Sequence, residues 1–324
     1  MPVAGPAIRV RGVGRSYGSG GKTVQALTDV SFDVAAGEIV ALLGANGAGK
    51  TTLVKILSTL LLPTTGDVSV LGLDVVGRVK DVRRNLSVVF GGDRGLYTRL
   101  SGRENLHFFG MLAGLTRAEL KERAADMLER SGLSDAADRR VETYSRGMRQ
   151  RLHIAIGLLP RPRVLLLDEP TIGLDPAEAE RLRAVVSALR EDGVSVLLTS
   201  HYLLDVERLA DRVVMLESGR LSADLPLDEF ARRAGYAAVV VVRTRGRLPA
   251  LDDVLPEGAT VEPGPGPAGG ATITVRLQTW GGSVFARLGA LLERCDVVDV
   301  QVRPARMEEA FASFQGAAAK GSTP

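Results

Sequence analysis

Cysteine occurs once among the 324 residues and histidine three times, so each can be weighed singly. The lone Cys295 rules out an intrachain disulfide, and a reducing cytoplasm fits that usage. No apolar run approaches the roughly 18 residues that would cross a bilayer. The first residues also lack the basic-then-apolar pattern of a signal peptide. Any service to a membrane is therefore expected to run through a partner. Lysine is scarce too, with six among 41 basic residues, a bias that reads as codon composition rather than phosphate binding. Those 41 stand against 38 acidic residues, leaving a net charge of +3. The excess is too small and too dispersed for a nucleic-acid footprint, and no nucleic-acid partner is expected. What remains is ordinary for a packed protein: hydrophobic residues make up 45%, enough for a core. The length suggests two domains.

Residues 44–51 read Gly-Ala-Asn-Gly-Ala-Gly-Lys-Thr. The apolar run Ile39–Leu43 before them predicts a buried strand, and the periodic stretch Thr52–Leu57 after them predicts a helix. That strand–loop–helix setting marks a phosphate-binding loop. Gly44, Gly47 and Gly49 let the backbone approach an anion closely. The helix N-terminus then aims free N–H groups at phosphates. Lys50 adds a mobile positive charge for the β- and γ-phosphates, and the Thr51 hydroxyl can reach Mg²⁺. Asn46 and Thr52 complete the nucleotide-binding candidates of this stretch.

Residues 163–169 form a second apolar strand, ending in Asp168-Glu169. Successive strand residues face opposite ways. Asp168 is therefore read as a Mg²⁺ ligand, and Glu169 as the group addressing the water that attacks the γ-phosphate. Around these motifs the pattern is α/β: strands over 8–92, helical spacing over 101–160, then strand, helix and strand to Thr199. Thr116 and Glu119 make a capping box, and Leu120, Ala124, Met127 and Leu128 share one apolar face. A second region begins near 236. Its expected elements are a strand at 238–242, a short helical turn at 251–255 and a loop at the Gly/Pro cluster 263–270. Alternating strands are expected at 271–277 and 298–302, with a helix marked by Phe285, Leu288 and Leu292 between them. Their order resembles a split βαβ unit of ferredoxin type. Met307, Phe311 and Phe314 form a closing apolar stripe, and 316–324 reads as a disordered tail. The region carries no catalytic motif, so a brace between two copies, or a passive appendage, is expected of it.

Tyr144-Ser145-Arg146-Gly147-Met148 opens a helix with a Ser-x-Gly turn. With it in place the chain resembles the ATP-binding cassette (ABC) family. The phosphate loop, this signature, Asp168-Glu169, the turn Gly173-Leu174-Asp175-Pro176 and His201 fall in the family's order. The resemblance covers about residues 6–230. It implies an ABC nucleotide-binding domain at 6–232, a P-loop ATPase core with a helical insert at about 101–160. A small α+β accessory domain at 236–315 follows. By the family pattern Ser145 and Gly147 contact the γ-phosphate held by the other cassette of a dimer, and Asp175 lies at that interface. His201 holds the γ-phosphate and orients the water, and Tyr17 stacks on adenine. His107 and His153 match no motif and are read as structural.

Lys50, Glu169 and His201 are thus the expected catalytic groups, with ATP and Mg²⁺ as ligands. The variant signature, with Tyr144, Arg146 and Met148 where Leu, Gly and Gln are usual, is similar to the drug, lipid and polysaccharide exporter branch. The implied protein is the ATPase subunit of an exporter. It would work as a cassette pair against an integral membrane permease, at the cytoplasmic face of the membrane. Two alternatives stand beside it: a soluble ABC ATPase acting on DNA or ribosomes, and an ATP-binding module with little turnover. One departure keeps the latter open, while intact Asp168, Glu169 and His201 argue against it. Gly92 occupies the position where the family usually carries a Gln that contacts Mg²⁺.

Overall fold

Apolar residues that alternate with arginines at 8–13 build the first strand, and the continuous apolar runs build strands covered on both faces. The computed structural model describes residues 5–19, 22–91, 95–232, 238–245, 259–265, 270–277, 282–293 and 296–304. The chain divides into two units, Met1–Leu225 and Pro226–Pro324. The first opens with β1 (Ile8–Ser19), β2 (Lys22–Val34), β3 (Ile39–Leu43), α1 (Lys50–Leu57) and β4 (Thr65–Val70). Next come β5 (Leu73–Asp74), α2 (Val79–Asn85) and β6 (Leu86–Phe90). Three helices follow, α3 (Gly102–Leu112), α4 (Arg117–Arg130) and α5 (Arg146–Leu158). The unit closes with β7 (Val164–Asp168), α6 (Pro176–Ala188), β8 (Ser195–Thr199), α7 (Leu203–Leu209), β9 (Arg212–Glu217) and β10 (Arg220–Pro226).

One sheet has the order β2-β1-β4-β5 and the other β10-β9-β3-β8-β7-β6. In the second, β3 pairs in parallel with β8 and β9, and β7 with β8 and β6. The register sets Leu42 beside Thr199 and Thr199 beside Asp168. The carboxyl ends of three neighbouring strands therefore converge, which is where open α/β sheets bind ligands. The core beneath is apolar, with Val40, Leu42, Leu53, Val54 and Leu166 fully buried. Between β6 and β7 sits the helical insert. Its α4 opens with the expected Thr116–Glu119 capping box and buries Leu120, Ala124, Met127 and Leu128. A second box, Ser101–Glu104, opens α3.

The second unit contains α8 (Leu227–Arg232), β11 (Ala238–Thr244), β12 (Thr260–Pro265), β13 (Ala271–Leu277), α9 (Gly282–Leu292) and β14 (Val297–Pro304). Its strands are ordered β12-β13-β11-β14, each antiparallel to its neighbour. The β13–α9–β14 crossover thus leaves β11 between its two strands. Val240, Val242, Ile273, Val275 and Leu277 pack with Val284 and Leu288 of α9.

Two sequence expectations need correction here. Residues 263–265, expected in a loop, belong to β12, an edge strand, where proline is tolerated because the missing N–H costs no ladder bond. Phe285 is 64% exposed, and Val284, one turn before Leu288, takes the buried position. Val298, Val300 and Val302 alternate as expected but stay largely exposed on the other edge strand. The expected turn at 251–255, Cys295, the stripe Met307–Phe311–Phe314 and the tail 316–324 lie outside the described residues.

Candidate active site

The loop after β3 turns sharply because its glycines adopt backbone angles that side chains resist. Gly49 has φ 103°, and a Cβ there would sit 2.6 Å from the Ala26 carbonyl oxygen. Gly44 has φ 152°, and its Cβ would meet the Leu216 carbonyl at 2.4 Å. Gly49 also caps α1 without any side-chain hydrogen bond, so no side chain competes for the first-turn N–H groups. Lys50 is buried, and its ammonium donates to the Gly44 carbonyl at 2.6 Å and the Ala45 carbonyl at 3.1 Å. Burial holds this ammonium below the usual lysine range, against the opposing pull of Glu169 and Asp168. An arriving phosphate would offset that desolvation with its opposite charge.

Across the sheet, the Thr199 hydroxyl at the end of β8 donates to Asp168 Oδ1 at 2.6 Å and accepts from the Glu169 backbone N–H at 3.0 Å. The Glu169 N–H also reaches the Thr199 carbonyl at 3.1 Å. These bonds hold Glu169 at φ 54°, a left-handed conformation costly for a residue with a side chain. The turn presents the Glu169 carboxylate to Nδ1 of His201, and the two side chains are in direct contact. Gly91, at the end of β6, fits beside this turn only without a side chain. Its N–H donates to the Asp168 carbonyl at 2.7 Å, and a Cβ would stand 2.6 Å from the Glu169 carbonyl.

These groups surround one cavity of about 600 Å³, inside the roughly 300–1,000 Å³ range of small-molecule sites. Of the candidates, Asn46, Gly47, Gly49, Lys50, Thr51, Thr52, Glu169 and His201 line it. Gly44 shapes the loop from behind, and Asp168 sits half-buried one residue before Glu169. A second concavity, lined from α4, α5 and α6, lies away from all these groups and holds none of the chemistry.

Four candidates stand elsewhere. Tyr17 on β1 is 40% exposed and does not line the cavity, and the Arg15 guanidinium stacks on its ring at 4.7 Å from the centroid. Ser145 is exposed, and its hydroxyl accepts from the Met148 N–H at 3.1 Å as the N-cap of α5. Asp175 does the same for α6, accepting from the Glu178 N–H at 3.0 Å. Gly147 is buried against the Glu178 carboxylate, which a Cβ would overlap. Gly92 lies outside the described residues. Ala26 and Ile172 also line the cavity and were not read from the sequence. Strand pairing brings Ala26 there, and no local pattern announces it. Thr199 was missed as well, although it stands two residues before His201.

Comparison with known proteins gives a consistent picture. Residues 27–172 match the family described as ABC transporter. The daunorubicin resistance ATP-binding protein DrrA3 of Streptomyces coeruleorubidus is 38% identical over 316 residues, covering 97% of each chain. The doxorubicin resistance ATP-binding protein DrrA of Mycobacterium tuberculosis is 44% identical over 229 residues, 71% of this chain and 68% of that one. Among solved structures, the dimeric ATP-binding cassette MJ0796 bound to ADP and Pi aligns with a TM-score of 0.62 at 26% identity. That alignment covers 68% of this chain and 98% of the cassette. With the phosphate loop, the Asp168-Glu169 strand end and His201 gathered on one wall, this chain belongs to the ABC transporter family, as one of its ATP-hydrolysing subunits.

Proposed function

We propose that two copies of this chain bind Mg²⁺-ATP between them and that hydrolysis drives export through a separate membrane permease. The contact between Glu169 and His201, on the same cavity wall as Lys50, carries this reading. Glu169 accepts a proton from the attacking water. His201 orients that carboxylate and the attacking water. Lys50 meets the charge on the β- and γ-phosphates. Phosphoryl transfer to water is largely positioning and charge stabilisation, and these three side chains supply it.

The residues fit a magnesium ion. Thr51 and Asp168 would hold it, one hydroxyl and one carboxylate. Among the described residues no group of three His, Cys, Asp or Glu side chains could hold a metal, and the nucleotide would supply further ligands. Mg²⁺ favours this division, keeping waters and phosphate oxygens as ligands. Once bound, the ion neutralises charge on the phosphate oxygens. Tyr17 lies open for adenine, with its ring steadied by Arg15.

One copy lacks a signature at its own cavity, since Ser145 and Asp175 are exposed and do not line it. In a pair, Ser145 and Gly147 would address the partner's γ-phosphate, and Asp175 would face the partner. No helix among the described residues is long and apolar enough to cross a membrane. Work at the cytoplasmic face is therefore assigned to contact with the permease. Relatives named for resistance to daunorubicin and doxorubicin favour an organic toxin as cargo. The test is affinity capture of the tagged chain from detergent-solubilised membranes. An integral membrane protein that stimulates its Mg²⁺-dependent ATPase is expected. Capture of the chain alone, with ATPase indifferent to membrane extract, would contradict the export reading.

A further inference from the structure

Behind the cavity wall lies a buried carboxylate that the mechanism above does not use. Asp205, in the first turn of α7, has a side chain of 0% exposure. Its Oδ1 accepts from Arg183 Nε of α6 at 2.8 Å. Its Oδ2 accepts from the Ser200 hydroxyl at 2.9 Å and from the Thr171 hydroxyl. Ser200 and Thr171 are themselves buried. Ser200 directly precedes His201, and Thr171 follows Glu169 with only Pro170 between. Ser200 also accepts from the Tyr202 N–H at 3.0 Å, which fixes the backbone on the far side of His201. One carboxylate thus ties together the two turns that present the catalytic pair.

A buried ion pair is poor value for stability alone, because well-packed apolar residues of similar volume often do as well or better. What the pair supplies is fixed geometry. Glu169 requires it. Its left-handed backbone, at φ 54°, persists only where the surroundings over-determine it. Thr199 secures the turn from the N–H side, and Thr171 secures it two residues on. The third arm, Arg183, belongs to the helix that Asp175 caps. The same helix meets the signature helix through Glu178 and Arg151, 3.2 Å apart.

We propose that Asp205 is a positioning residue for hydrolysis. Through Thr171 and Ser200 it holds the Glu169 carboxylate and the His201 ring in register, without touching nucleotide. The inference rests on the assignment of Glu169 and His201 above. The Mg²⁺-ATPase of the purified full chain tests it, with kcat and KM measured separately. Asp205→Asn keeps the volume but cannot accept from all three donors. A sub-ångström shift of the pair should lower kcat about 10- to 100-fold. The phosphate loop is untouched, so KM and the dissociation constant for a fluorescent ATP analogue should stay within about threefold. Thr171→Val should reproduce the loss, and Thr171→Ser, which restores the hydroxyl, should recover most of kcat.

Wild-type kcat in a folded Asp205→Asn chain would overturn the proposal. If that variant fails to fold, the Thr171 pair decides: equal kcat in Thr171→Val and Thr171→Ser would equally overturn it. Glu169→Gln run alongside separates the two levels. Lost turnover there with normal Asp205→Asn refutes the clamp alone. Normal turnover in Glu169→Gln refutes the catalytic assignment itself.

Discussion

The two units bury different kinds of residue. In the first, Lys50, Thr171, Arg183, Thr199, Ser200 and Asp205 are all buried beside or behind the cavity. In the second, the buried side chains described are apolar, apart from Thr244 at the end of β11. Burying a polar group costs free energy unless its hydrogen bonds are remade. A fold that needs only to be stable avoids it, as the second unit does. The first accepts it behind the cavity, where loops must be held to a fraction of an ångström, and also at helix ends such as Ser101 and Ser131. Buried polarity therefore separates the unit that holds the cavity from the other more sharply than size or secondary structure does.

Substitutions on each side can break this contrast. The largest effect is expected in the first unit. Glu169→Gln keeps size and hydrogen bonding but removes the base, so turnover should fall about 10²- to 10⁴-fold. ATP binding should persist, and near-normal turnover would return Glu169 to a structural role. In the second unit, Ile273→Ala opens a cavity in the aliphatic core, at a cost of about 2–5 kcal/mol. Its unfolding transition should drop while the ATP dissociation constant stays put. A matching loss of ATP affinity would show that the second unit shapes the site.

A smaller effect sharpens the account of the phosphate loop. Gly49→Ala forces a side chain into a left-handed turn and against the Ala26 carbonyl. Strain of about 1–3 kcal/mol is expected, weakening ATP binding correspondingly. Unchanged affinity, measured by titration calorimetry, would mean the loop relaxes freely. The smallest effect is electrostatic. Burial lowers the Lys50 pKa in the free chain, while Glu169 and Asp168 oppose the shift. Bound phosphates raise it again, so ATP binding takes up a proton at alkaline pH. Affinity should fall as pH rises through the depressed Lys50 pKa, by at most about tenfold per unit. Calorimetry in buffers of different ionisation enthalpy would detect the uptake. Its absence would place the charge on Lys50 unchanged in both states.

The same contrast explains what the sequence disclosed. Ile39–Leu43 and 271–277 were legible to the residue, because buried runs and strict alternation are local patterns. The loop residues Asn46–Thr52 were legible because phosphate binding is written in consecutive backbone positions. Ala26, Thr171, Thr199 and Asp205 were not. Each reaches the site through sheet register or helix packing, with partners 30 or so residues away in cases such as Thr199–Asp168 and Thr171–Asp205. In the second unit, β12 hid behind its prolines, which read as a loop until the sheet order showed an edge. Exposure of Val298, Val300 and Val302 was equally invisible, since alternation gives the face of a strand and not what covers it.

The central claim is that a single chain holds half of each working site. Sedimentation of the Glu169→Gln chain, with and without Mg²⁺-ATP, tests it most directly. The account predicts that nucleotide converts monomers to a stable dimer, and that Ser145→Ala on the same background weakens that conversion. A chain that binds ATP with undiminished affinity yet stays monomeric at every nucleotide concentration would contradict it.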